Sequence, residues 1–141
     1  MQCVGGLFLI VACFVAGFGA LSAAQTVGLT VDVPFQFNVG EKVLSAGPYV
    51  ILAPPDDTLR ILGRDGMTIT AKANQVSGQR RDGAGLVSFN CYSDRCFLSR
   101  LWSPRANVSK ELLKSRLEKE VAGHGDQLAV IALKAMPYEQ Q

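Results

Sequence analysis

The sequence predicts an all-β domain of about seven antiparallel strands, a small meander barrel or sandwich, with one amphipathic helix before the last strand. Three observations point there. Short apolar stretches alternate with polar neighbours, Gly, Pro, Asp and Asn punctuate them at short intervals, and a single stretch carries the four-residue apolar repeat of a helix.

The domain begins after a different kind of segment. Of 141 residues, 48% are hydrophobic and the formal net charge is +2, which excludes a disordered polyelectrolyte and leaves little length for a multidomain enzyme. The average is uneven: no Asp, Glu, Lys or Arg precedes Asp32, and 18 of residues 1–24 are hydrophobic. An apolar centre ending in Ser22, Ala23 and Ala24 has the layout of a secretory signal peptide, with Ser22 and Ala24 fitting cleavage before Gln25. Leu21 with Ala23 offers a second frame. No basic residue leads the segment, and a stretch of about 21 residues could also span a bilayer as an uncleaved anchor. Residues 10–13 also match the lipoprotein-processing pattern in letters, although the apolar run continues past Cys13. The expected organisation is a signal peptide over 1–24 and a single β-rich domain over 25–141. The expected location is periplasmic or extracellular, with an N-terminally membrane-anchored form as the alternative.

Along the mature chain, Val31, Val33, Phe35, Phe37 and Val39 alternate with polar residues or proline, the period of a strand with one buried face. Pro34 cannot donate to a ladder, which predicts an edge position or a bulge. Gly40, Glu41 and Lys42 turn the chain into a strand over 49–52, ended by Pro54, Pro55, Asp56 and Asp57. Residues 58–62 and 67–73 read as a hairpin in which Asp65 and Gly66 supply positive φ. Residues 75–85 form the longest expected loop. Arg-Asp-Gly occurs at 64–66 and again at 81–83, and both copies read as turns rather than adhesion tripeptides.

Residues 86–92 and 95–102 form the clearest hairpin, with Ser93 and Asp94 as its turn. The register then pairs Tyr92 with Arg95, Cys91 with Cys96, Phe89 with Leu98 and Val87 with Arg100, leaving Phe97 and Leu101 on the other face. A helix follows over about 110–122, where Leu113, Leu117 and Val121 repeat every four residues. Two starts compete, a cap at Ser109 or a capping box of Ser115 with Glu118. Gly123 and Gly125 end the helix, and residues 128–135 make the last strand.

Few residues suggest chemistry. Cys91 and Cys96, the only cysteines after the leader, fall on a non-hydrogen-bonded cross-strand pair close enough to bridge, and export favours a disulfide over a redox or metal role. His124 is the single histidine. It lies between glycines, and no serine sits in a glycine-flanked nucleophile turn, so no catalytic triad is expected. Seven basic residues, Arg95, Arg100, Arg105, Lys110, Lys114, Arg116 and Lys119, accompany only Glu111 and Glu118 over residues 95–119. That excess of positive charge suits an anionic surface, although a plain solvated face gives the same pattern. Aromatic interleaving of the kind that binds nucleic acid is missing. Asn107 to Ser109 forms a glycosylation sequon, relevant only in a eukaryotic secretory pathway.

The run from Val31 through Pro34, Phe35, Phe37, Asn38 and Gly40, followed by Ser45, Ala46, Gly47, Pro48 and Tyr49, resembles the opening of a known family. Its members are small exported β-rich proteins of unknown function, frequent in acidobacterial genomes. The likeness continues at Tyr92, Phe97, Leu98, Trp102, Lys114, Ser115 and Arg116. It departs at Cys91 and Cys96, which are not typical there, and at Leu113, where a proline is usual. The resemblance implies a bacterial exported β fold and says nothing of activity.

The combined expectation is a non-enzymatic exported protein that binds an unknown protein or an anionic envelope component through a basic hairpin-helix face. No cofactor, metal, nucleic acid or stable membrane span after cleavage is expected. The alternative is a carrier of a small apolar ligand inside the barrel, which requires an interior not filled by Phe35, Phe37, Phe89 and Trp102. A hydrolase or redox enzyme ranks third.

Overall fold

The computed structural model describes residues 26–77, 84–104, 107–125 and 127–138. Among them are ten strands and one helix in the order β1 (Val27–Val33), β2 (Phe37–Val39), β3 (Lys42–Leu44), β4 (Gly47–Ala53), β5 (Thr58–Leu62), β6 (Thr68–Gln75), β7 (Gly85–Tyr92), β8 (Arg95–Ser103), β9 (Val108–Leu112), α1 (Arg116–Gly123) and β10 (Leu128–Pro137). Eight strands close an antiparallel barrel in the order β8, β7, β10, β1, β4, β5, β6, β9, with β9 pairing back onto β8. β2 and β3 form a short hairpin laid against β8, with Asn38 opposite Phe97 in a parallel pairing.

Pro34 divides the first predicted strand in two. The ladder of β1 with β4 ends at Val33 opposite Gly47, because the next residue has no N–H to continue it. The chain then turns, and Phe37 enters the core on β2 rather than extending β1. β1 is therefore an interior strand of the barrel wall, not the expected edge. Phe37 packs edge-on to Tyr49 and Phe89 with ring centroids 5.2 and 5.3 Å apart, and Phe35 meets Phe89 at 5.1 Å. These rings fill the interior together with Leu29, Val31, Ile51, Leu59, Ile61 and Val87, all buried. Along β1, β5 and β7 buried residues alternate with more exposed ones, as a closed wall demands.

The β7–β8 hairpin has the predicted turn and opening register. Ser93 takes a positive φ of 54°, Tyr92 opposes Arg95, Cys91 opposes Cys96 and Phe89 opposes Leu98. Beyond that point the expected pairing of Val87 with Arg100 is replaced. A bulge at Ser88/Phe89 sets Ser88 against Arg100 and Val87 against Leu101. The extra residue, Ser99, reverses the facing of everything after it. Leu101 thereby enters the core, and Arg100 stays half exposed. Without the bulge the guanidinium would point into the barrel, at a desolvation cost of several kcal/mol.

Two further expectations change. In the β5–β6 turn only Gly66 has positive φ, at 74°, and Asp65 does not. The helix expected over 110–122 is confined to Arg116–Gly123, so the Ser115 start is the one used. Val108–Leu112 instead forms β9, which bonds to both β6 and β8 and shuts the barrel. Its backbone groups are needed by two neighbours, and that tertiary demand overrides the local helical repeat of its side chains. Leu113 is exposed as a result. The leader, the second Arg-Asp-Gly at 81–83 and Arg105 lie outside the described residues.

Candidate functional site

The outer face of β7 and β8 carries the helix, which holds two of the predicted basic residues, Arg116 and Lys119, with Lys114 just before its start. Ser115 sits in extended backbone and its Oγ accepts from the Glu118 N–H at 3.1 Å, satisfying one of the free amides of the first turn. The same hydroxyl donates to the Gly40 carbonyl at 3.4 Å, tying the helix start to the β2–β3 turn. His124 closes the other end, where its backbone N–H donates to the Val121 carbonyl.

Glu118 fixes the helix to the sheet. The residue is only 4% exposed, and its carboxylate accepts from the Tyr92 hydroxyl at 3.0 Å and the Asn90 side-chain amide at 3.4 Å. Burial, and then the hydrogen bond and charge of Glu118, hold the Tyr92 phenol above its ordinary pKa. Tyr92 also packs edge-on to Phe97 at 6.0 Å. The capping box marks Glu118 in the sequence, but its buried partners lie 26 and 28 residues upstream and leave no local signal.

The seven basic residues do not form one surface. Lys110 is 3% exposed. Its ammonium donates to the carbonyls of Pro54, Asp56 and Thr58 at 2.5, 2.6 and 2.8 Å, clipping β9 to the β4–β5 loop. Burial pushes its pKa down, opposed by the charges of Asp56 and Asp57. Asp56 in turn accepts from the backbone and hydroxyl of Thr58, and those bonds lower its own pKa. Lys110 is thus a structural clip and cannot reach a partner. Arg100 pairs with Glu111 at 3.2 Å and Arg116 with Glu120 at 3.9 Å. Arg95, Lys114 and Lys119 are exposed and form no ion pair among the described residues.

Arg95 and Leu117 line a cleft of about 420 Å³ with Gln36, Asn38, Asp94 and Cys96, between the β2–β3 hairpin, the β7–β8 turn and the helix. The Cys91–Cys96 disulfide forms one of its walls, with Cα atoms 4.0 Å apart. A second cleft of about 530 Å³ lies among the turn after β3, Tyr49 and the β5–β6 turn, where Val43, Pro48 and Met67 meet Arg64 and Asp65. Trp102 opposes Leu86 and Ser109 and lies outside the main core cluster, so it does not fill the barrel. Among the described residues, no three His, Cys, Asp or Glu side chains gather as a metal site. No described helix is long and apolar enough to cross a membrane. Comparison of the chain with protein-family models, curated proteins and solved structures finds no match.

Proposed function

We propose that the chain is a non-enzymatic exported bacterial protein that binds an anionic envelope component through the outer face around α1. The observation that carries this reading is the placement of Arg95, Lys114 and Lys119, exposed and without an ion pair among the described residues, on or beside the helix that Glu118 anchors. Interlocked Phe35, Phe37 and Phe89 rings fill the barrel, so an internal carrier site draws no support from it. The disulfide and the apolar residues 1–24 support passage through an oxidising, exported compartment. The resemblance to the acidobacterial exported proteins agrees with that compartment.

Adsorption to an anionic polysaccharide matrix over a salt gradient tests the reading. The wild type is expected to elute at higher salt than the double variant Lys114→Glu/Lys119→Glu, because each neutralised contact contributes to the salt dependence. Equal elution of the two would overturn it. The N-terminal residue of the exported protein should lie near Gln25, and an intact Met1 would remove the cleaved leader.

A further inference from the structure

β10 has an outer face that the helix does not cover. Leu128, Val130, Ala132, Lys134 and Met136 alternate along the strand and so share that face. Their apolar members are strongly exposed: Leu128 by 52%, Val130 by 63% and Met136 by 71%. The barrel wall is also thin here, because β1 pairs with β10 only at Leu29–Pro137 and Thr30–Met136. An exposed apolar stripe of this length on a charged domain, broken only by Lys134, marks an interaction surface.

The stripe and the basic helix lie on one side of the molecule. Leu128 opposes Tyr92 and Val130 opposes Asn90 across the β7–β10 ladder, and Tyr92 and Asn90 are the two residues that hold Glu118. Leu117 marks the helix flank that looks onto the Arg95 cleft. Lys119, two residues on, is turned about 200° around the axis and so occupies the opposite flank, toward β10. Lys134 lies on the stripe itself, and Lys119 lies on the helix flank turned toward it.

We infer that this composite face docks on an anionic lipid surface. The inference rests on the anionic-partner reading above and names the partner's chemistry. A polyanion without acyl chains would meet the cations but leave the stripe in water. A second copy would cover the stripe but bring the lysines of both copies to the same side. An anionic bilayer answers both features. Valine, leucine and methionine side chains enter the boundary below the headgroups, and the lysine stems reach back so that their ammonium groups stay at phosphate level. The face lies on the membrane and does not span it.

Vesicle co-sedimentation of the full chain tests this, using phosphatidylglycerol vesicles, phosphatidylcholine vesicles and beads bearing an anionic polysaccharide. The N-terminal processing state is verified by mass spectrometry to be the same in every sample. The expected result is binding to phosphatidylglycerol vesicles well above phosphatidylcholine, reduced about tenfold or more in Val130→Ser/Met136→Ser. That variant alters only exposed side chains, so circular dichroism should be unchanged and bead binding retained. Lys119→Glu/Lys134→Glu should lower vesicle binding at least about fivefold per site. Vesicle binding unaffected by Val130→Ser/Met136→Ser would overturn the lipid inference and leave the anionic-surface reading standing. Binding to neither vesicles nor beads at low salt would overturn both. A concentration-dependent dimer lost in the serine variant would make the stripe a contact between copies, and would also overturn it.

Discussion

Glu118 and Tyr92, 26 residues apart in sequence, share a buried hydrogen bond of 3.0 Å that holds the only described helix against the barrel. The bond gives an eight-residue helix a fixed place, which its own length cannot provide. It also decides which helix residues face outward, and so which cations a partner would meet.

Removing that carboxylate should release the helix. Glu118→Ala leaves the Tyr92 hydroxyl and the Asn90 amide without their acceptor and is expected to cost about 2 kcal/mol in urea unfolding. Glu118→Gln keeps an acceptor oxygen and should cost less.

The same contact sets an alkaline dependence. Tyr92 is held above its ordinary pKa of 10.0, so the folded state keeps this proton more tightly than the unfolded chain. Its contribution is complete below the unfolded pKa and is lost as pH rises through the folded value. Lys110, lowered from 10.5, acts in the opposite sense, since the folded state gives up that proton first and stability rises with pH between its folded and unfolded values. Stability curves from pH 8 to 11 for wild type and Tyr92→Phe should diverge, the wild type falling more steeply at the alkaline end. Parallel curves would contradict the assignment.

Lys110→Met tests the clip. Three carbonyls lose their shared donor, and the variant is expected to lose about 2–3 kcal/mol despite keeping the apolar stem. A solvated lysine would give a change near zero.

The hairpin staple makes a separate claim. Alkylation without reductant, followed by peptide mapping, should label neither Cys91 nor Cys96. Reduction should lower stability by about 2 kcal/mol, the chain entropy of closing so short a loop.

Two glycines should respond in opposite ways. A Cβ on Gly85 would stand 2.8 Å from a Leu29 methyl and 3.0 Å from the Ala135 carbonyl oxygen, whereas nothing lies within 4 Å of the position on Gly123. Gly85→Ala is expected to destabilise by about 1–3 kcal/mol. Gly123→Ala, in the last turn of the helix, should be neutral or gain up to about 1 kcal/mol.

Local patterns carried much of the fold. Alternation marked most of the barrel strands, the Ser93-Asp94 turn set the hairpin register as far as Phe89, and Cys91 and Cys96 met as that register required. What stayed hidden depends on partners far along the chain. The bulge after Phe89 follows from a conflict between Arg100 and the core that no local count shows. β9 reads as helix until β6 and β8 are seen to need its backbone. Lys110 and Glu118 look like solvated charges because their partners lie 26 to 56 residues away. The apolar run of β10 was legible as a strand, but its exposed face was not, since exposure depends on where the helix ends up.

Lysine acetylation footprinting in the presence and absence of an anionic surface tests the central claim most directly, because it reports which face is covered. Lys114, Lys119 and Lys134 should be protected on binding, Lys72 on β6 should stay reactive, and Lys110 should react slowly in both states. Protection of Lys72 with Lys114 and Lys119 left reactive would contradict the account.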